Sequence, residues 1–306
     1  MSHGHHVRVG RRAVVAALAG TVLGTGVLAA APAEAATAPQ VQAQGAFALN
    51  PATGKTLFGK APDGRLRTGS TTKIMTALVV LSQPHLDLGR KVKIKKEYTD
   101  YVIDPANPGN LRYSSAHLIL GDSMKVSDLL YGLLLPSGCD AAYALADTYG
   151  TGSTTAARTT SFIAKMNGEA RELGLTNTHF DSFDGVSNGN NYASPRDLAK
   201  LAGVALKNAT FKKVVGTKVY KDMQSYRPGG GTHAMDPWTN TNKLLDTYRG
   251  AIGVKTGSGP EAGACLVFAA TRGGRTVVGT ILADTSPDQR FQDAAKILDY
   301  GFAQSG

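Results

Sequence analysis

The apolar residues of the chain change period twice. Short apolar runs over 41–49 and 55–58 flank Asn50-Pro51-Ala52-Thr53-Gly54, a turn sequence, and so predict a β-hairpin. Ile74, Met75, Ala77, Leu78, Val79, Val80 and Leu81 then follow with no polar stripe, as in a helix buried on all sides. Val92 and Ile94 alternate with lysines like a short strand, and residues 98–115, with Pro105, Pro108 and Gly109, read as loop. The middle is helical. Ser127 is placed to cap a helix reaching Leu135, Pro136 stops it, and a second helix covers 140–149. Phe162, Ile163, Met166, Ala170 and Leu173 recur at helical spacing over 155–173, and Ser194-Pro195 opens a helix to Leu206. Between them residues 176–193, rich in Asn, Asp, Ser and Gly, predict a long surface loop.

The last third returns to period two. Residues 217–223 alternate, Ile252-Gly253-Val254 runs into Lys255-Thr256-Gly257, and runs over 264–271 and 276–283 bracket Gly273-Gly274 as a second hairpin. Ser286-Pro287 then caps a closing helix to Phe302, with Phe291, Ala294, Ala295, Ile297 and Leu298 inward. Strands at both ends of a helical middle predict an α/β (α+β) unit: an antiparallel sheet flanked by helices (about 40–70 and 217–306) with an inserted all-helical subdomain (about 71–216).

The N-terminus has a different pattern. His5, His6, Arg8, Arg11 and Arg12 precede an apolar, small-residue run over 13–31, and Ala33-Glu34-Ala35 fits a small-x-small cleavage site. This predicts a signal peptide, 1–35, and a mature domain, 36–306, exported with no transmembrane anchor after cleavage. The full chain carries 33 basic and 23 acidic residues, net +10; without three arginines and Glu34 the mature part keeps 30 against 22, or +8. That charge suits an anionic wall surface. Scattered lysines and the lack of an aromatic-basic module argue against nucleic acid. Cys139 and Cys265 are too few for a disulfide scaffold, and export permits either a bridge or free thiols. His179 and His233 lie in loops with no second ligand at metal spacing, so the expectation is no metal and no cofactor.

Candidate chemistry begins at Ser70-Thr71-Thr72-Lys73, at the mouth of the buried helix. Residues three apart share a helix face, which sets the Lys73 amine beside the Ser70 hydroxyl, a nucleophile with its own base. Ser137-Gly138-Cys139 follows between two predicted helices, and Lys255-Thr256-Gly257 on a predicted strand. In that order the three triplets resemble the S-x-x-K, S-x-N and K-T-G set of the serine penicillin-recognising enzymes, and most of all the low-molecular-mass penicillin-binding proteins, which are D-Ala-D-Ala carboxypeptidases and transpeptidases. The segments 46–55, Thr239-Asn240-Thr241-Asn242-Lys243-Leu244-Leu245 and Gly253-Val254-Lys255-Thr256-Gly257 look like that family too, so the resemblance covers roughly 40–302.

The resemblance implies a β-lactamase/transpeptidase-like fold and a serine peptidase acting on peptidoglycan stem peptides that end in D-Ala-D-Ala, secreted and wall-associated, and acylated by β-lactam antibiotics. It implies that Ser70 forms the acyl-enzyme, with Lys73 as base and Ser137 relaying a proton to the leaving amine. Lys255 would attract the terminal carboxylate and disfavour a second positive charge on Lys73. Thr256 would bond that carboxylate, and the N–H groups of Ser70 and Ser258, beyond Gly257, would hold the oxyanion. Cys139 departs from the usual Asn, and a thiol is the weaker hydrogen-bonding group. This leaves open the balance between hydrolysis and transfer to an amine; a small buried residue packed behind the site is the plain alternative.

Two rival functions share the pattern. A class A β-lactamase would carry a deacylating E-x-x-L-N glutamate; the nearest string, Glu169 to Asn177, does not fit, and Glu169 and Glu172 read as a solvated helix face. A non-catalytic binding module would have no use for both nucleophile and base.

Overall fold

The computed structural model of the chain describes residues 1–6, 10 and 37–304. The signal-peptide reading covers 1–35, of which 7–9 and 11–35 lie outside those residues. By contacts the chain falls into two units, Met1–Ala35 and Ala36–Gly306, and every element below belongs to the second. In chain order these are β1 (Gly45–Leu49), β2 (Thr56–Lys60), α1 (Lys73–Leu81), β3 (Lys91–Lys93), α2 (Lys96–Tyr101), β4 (Ser123–Lys125), α3 (Val126–Leu134), α4 (Cys139–Tyr149), α5 (Thr155–Glu172), α6 (Pro195–Ala205) and α7 (Ala209–Gly216). There follow β5 (Val219–Tyr220), β6 (Gln224–Tyr226), β7 (Thr232–Ala234), β8 (Trp238–Thr239), α8 (Leu244–Thr247), β9 (Ala251–Gly259), β10 (Gly263–Arg272), β11 (Arg275–Asp284) and α9 (Gln289–Ala303).

The predicted hairpins form and join into one antiparallel sheet, in the order β2-β1-β11-β10-β9. The tight turn between β10 and β11 is Gly273-Gly274, both at positive φ (54° and 75°), the backbone that matches the twist of a two-residue hairpin. Alternation along β10 decides which layer each residue enters. Leu266, Phe268 and Ala270 pack with Phe291, Ala294, Ile297, Leu298 and Phe302 of α9 in one core. Cys265, Val267 and Ala269 join the larger core on the other face, with α1, α3, α4, α5 and α6. A sheet covered on both faces explains why these strands read as continuous apolar runs.

Within the helical block α1 is buried from Lys73 to Val80, as its unbroken apolar pattern required. Ser194 caps α6 by accepting from the Asp197 N–H at 3.1 Å, and Ser286 Oγ accepts from the Gln289 N–H at 3.1 Å to open α9. Asp147 of α4 ties its neighbours together, accepting from Lys95 at 2.6 Å, Arg158 at 2.5 Å and the Tyr98 hydroxyl.

Five local features depart from the sequence reading. Ser127 is not a cap: Lys125 is the N-cap of α3, because β4 runs directly into the helix. Residues 96–101 form α2 rather than loop, with Tyr98 buried against the core. A further helix, α7, follows α6 after Asn208, which caps it by accepting from the Phe211 N–H at 3.1 Å. The alternating stretch after 217 does not enter the main sheet; β5 pairs with β8, while β6 and β7 extend a small sheet with β3 and β4. Residues 176–193 are not a plain surface loop, for Phe180, Asp184 and Asn191 are buried.

Phe162 of α5 is fully buried in the larger core. Phe162→Ala is expected to destabilise the fold by about 3–5 kcal/mol, through lost burial plus the cavity left behind. Denaturant unfolding checks this: the midpoint should fall with the slope unchanged.

Candidate active site

Ser70 does not start the α-helix. It lies in a 3-10 turn, Gly69–Thr72, that leads into α1. In a 3-10 turn side chains at i and i+3 eclipse, so Ser70 and Lys73 come closer into line than an α-helix would bring them. Lys73 Nζ donates to Ser70 Oγ at 3.0 Å. The Lys73 side chain is fully buried, and its amine also donates to the Asp184 carbonyl at 3.0 Å and to Cys139 Sγ at 3.3 Å. An ammonium has three N–H donors, and three acceptors surround it here.

The turn is fixed from behind. Asn191 Nδ2 donates to the hydroxyls of Thr68 and Thr72 at 2.7 and 2.9 Å. Gly185, at φ 94°, lies so close that a Cβ there would be 2.0 Å from the Gly69 carbonyl oxygen. The segment expected to be solvent-exposed is therefore the back wall of the Ser70 turn.

Pro136 ends α3, and Ser137 follows with φ 67°, in the left-handed region where a non-glycine residue is strained by roughly 1–2 kcal/mol. The Ser137 hydroxyl is buried with no partner among the described residues. Its carbonyl accepts from Ser114 Oγ at 2.6 Å. Cys139 begins α4, and its N–H donates to the Ser114 carbonyl at 2.8 Å. Burial pushes the Cys139 thiol up to about 11 against the opposing pull of the Lys73 charge, so it is neutral at physiological pH. Both cysteines are free and buried; Cys265 is likewise pushed up to about 11 by burial.

The third triplet is on β9, an edge strand of the sheet. Lys255 is buried, and its amine donates to the Thr256 carbonyl at 3.0 Å. Its pKa is held well below the ordinary lysine value of 10.5, first by burial and then by the charge of Lys73. The Thr256 hydroxyl lies 2.6 Å from that of Thr241. Arg290, from α9, donates to the Gly257 carbonyl at 2.9 Å and to Ser258 Oγ at 3.0 Å. The backbone nitrogen of Ser258 is beside Gly69, since a Cβ on that glycine would approach it to 3.0 Å.

A cleft of about 660 Å³ is lined by Ser70, Ser137, Cys139, Thr256, Gly257 and Ser258, so these predicted residues converge. Lys73 and Lys255 lie behind its wall and reach it through hydrogen bond and charge. Sequence reasoning missed Ser114, Asn191, Thr241 and Arg290, which also line it, and Asp184. A signal existed for Arg290, a cation beside Phe291 on the inward stripe of α9. Among the cleft-lining residues the carboxylate is Glu261, paired with Arg67 at 3.4 Å. Glu169 is not among the lining residues, so no glutamate of α5 is in position to activate water there.

A family model described as D-alanyl-D-alanine carboxypeptidase matches residues 32–286. The chain is 58% identical over 297 residues to a D-alanyl-D-alanine carboxypeptidase of Streptomyces sp. (strain K15), covering 97% of this chain and 100% of that one. It is 34% identical over 263 residues to the carboxypeptidase DacF of Bacillus subtilis (strain 168), of which it spans 63%. The crystal structure of the Streptomyces K15 DD-transpeptidase superposes with a TM-score of 0.84 at 61% identity, covering 88% of this chain and 100% of that one. A penicillin-binding protein homologue of Mycobacterium tuberculosis gives a TM-score of 0.74 at 28% identity, covering 89% and 95%.

Two outcomes follow from the buried thiols and the buried amine. In native protein at pH 8 iodoacetamide is expected to label neither Cys139 nor Cys265, and both only after unfolding; mass spectrometry checks it. The folded state binds fewer protons at Lys255 than the unfolded chain between its lowered pKa and 10.5, so this residue's contribution to stability rises with pH through that window. Denaturant midpoints at pH 7 and pH 9.5 should therefore shift upward more in the native protein than in Lys255→Gln.

Proposed function

The chain belongs to the D-alanyl-D-alanine carboxypeptidase family, and from that premise we propose that Ser70 is the nucleophile of its serine-type DD-peptidase reaction. The observation that carries the assignment is the 3.0 Å hydrogen bond between Lys73 Nζ and Ser70 Oγ in a cleft that Ser137 and Thr256 also line. Lys73 takes the Ser70 proton as general base while Oγ attacks the carbonyl between the two D-alanines. The N–H groups of Ser70 and Ser258 receive the oxyanion, where donors already fixed by the fold cost no reorganisation.

Ser137 passes a proton to the leaving D-alanine amine. Its hydroxyl has no partner among the described residues, which leaves it for the substrate. The terminal carboxylate is met by the Thr256 hydroxyl, with the Arg290 guanidinium behind it. Gly257 keeps the strand narrow: a Cβ there would be 2.6 Å from the Thr68 carbonyl oxygen. Cys139 is a neutral acceptor for Lys73 rather than a nucleophile, and its weak sulfur bond holds the amine more loosely than the amide oxygen of Asn.

Water or an amine can then receive the acyl group. Transfer to an amine is the second reading, supported by 61% identity to a protein described as a DD-transpeptidase. β-Lactams enter the same path as covalent inhibitors; the glutamate lining the cleft, Glu261, is paired with Arg67, and no α5 glutamate lines it to discharge them. The family acts on the cell wall outside the cytoplasm; export through a cleaved 1–35 leader is the route we propose, and no described helix is long and apolar enough to cross a membrane.

D-Alanine release from diacetyl-Lys-D-Ala-D-Ala tests this assignment. Ser70→Ala is expected to lower kcat by roughly 10^3-fold or more with the thermal midpoint retained. Thr256→Ala should raise KM more than it lowers kcat, because it removes a carboxylate contact. Unchanged release by Ser70→Ala would refute the assignment.

A further inference from the structure

The cleft is lined by more cationic side chains than a single carboxylate needs. Arg67 is paired with Glu261 and donates to the carbonyls of Gly189 and Asn191. Arg290 is committed to Gly257, Ser258 and the Cys265 carbonyl. Arg112 is different: it is exposed, it lines the cleft, and among the described residues no carboxylate or carbonyl meets its guanidinium. Its contact is the Tyr113 ring, 4.9 Å away.

That ring is anchored. Tyr113 packs on Tyr101 at 5.3 Å, and Tyr101 packs in turn on Tyr143 and Phe183. The backbone is held as well, since the N–H groups of Arg112 and Tyr113 both donate to the Val102 carbonyl, at 2.8 and 3.3 Å. Ile103 and Leu111 bridge across the base of the loop. Two residues further on, Ser114 bonds the Ser137 carbonyl. A guanidinium in water at a loop tip loses its position quickly; this one is supported by an aromatic stack and tied to the wall that carries Ser137. It lies in the same field as Arg290 and the buried lysine pair, and carries no counter-charge of its own. Such an arrangement is relieved when an anion arrives.

We infer that Arg112 forms a second carboxylate subsite, which reads a side-chain carboxylate on the donor residue preceding D-Ala-D-Ala. The terminal carboxylate already has Thr256 and Arg290, so the group Arg112 answers is a different one on the same peptide. The inference rests on the DD-peptidase reading, and adds to it a preference among donor peptides. A guanidinium suits the task because it grips a carboxylate with two parallel N–H groups, which an ammonium cannot do.

The test is a two-by-two comparison of kcat/KM on N-acetyl-Glu-D-Ala-D-Ala and N-acetyl-Gln-D-Ala-D-Ala, donors of the same shape that differ by one charge. The native protein is expected to favour the Glu donor by roughly threefold to tenfold at low salt, with the ratio falling as salt screens the exposed pair. Arg112→Gln should bring the ratio to about one, and Arg112→Lys should keep part of it. A native ratio at or below one, or a ratio that survives Arg112→Gln, would overturn the subsite while turnover of both donors upheld the DD-peptidase reading. Absence of turnover with either donor in the native protein would sink that reading and the subsite with it.

Discussion

One buried amine sets the requirements for the rest of the site. Lys73 Nζ is removed from water, and its three hydrogen-bond acceptors come from three separate segments: Ser70 of the nucleophile turn, Cys139 at the start of α4, and the Asp184 carbonyl of the 176–193 segment. A fourth segment, β9, adds Lys255 and a repulsion that neither amine can escape by reaching solvent. A buried ammonium without acceptors costs several kcal/mol. The fold therefore has to hold all four segments in register before the amine can sit beside the serine, and the same burial holds the Lys255 amine well below the ordinary lysine value.

The architecture supplies that register from rigid parts. β9 is held through β10 to the centre of a sheet covered on both faces, and α1 is gripped on every side, so the third triplet and the nucleophile turn cannot drift apart. Arg290 closes the arrangement from the α9 layer by binding the carbonyl of Gly257 through the sheet edge. In the reaction we propose, substrate groups meet donors that are already placed, and this fixed placement rather than any unusual residue activates an ordinary serine.

Much of this was legible in the sequence because it is periodic or punctuated. The Gly273-Gly274 hairpin, the all-apolar α1 and the Ser194-Pro195 helix start each carry a local cause that tertiary contacts did not override. The Ser70-Lys73 pairing was legible for the same reason, spacing on a turn. What stayed hidden depends on contacts far apart in the chain. Asp184 and Asn191 sit in a stretch whose composition says loop, and only the partners they meet, Lys73 and the Thr68 and Thr72 hydroxyls, make them part of the wall. Arg112 gave no sequence signal either, since its position depends on the aromatic stack beneath Tyr113. The alternation after 217 was real, yet period alone does not say which sheet a strand will join.

The proposed reaction requires that Ser70 be acylated in a cleft that no α5 glutamate lines. Intact mass of the purified protein followed over time with benzylpenicillin tests that directly. A single adduct that persists and maps by peptide digestion to Ser70 is the result expected. Hydrolysed drug with no adduct, or an adduct on any other residue, would contradict it.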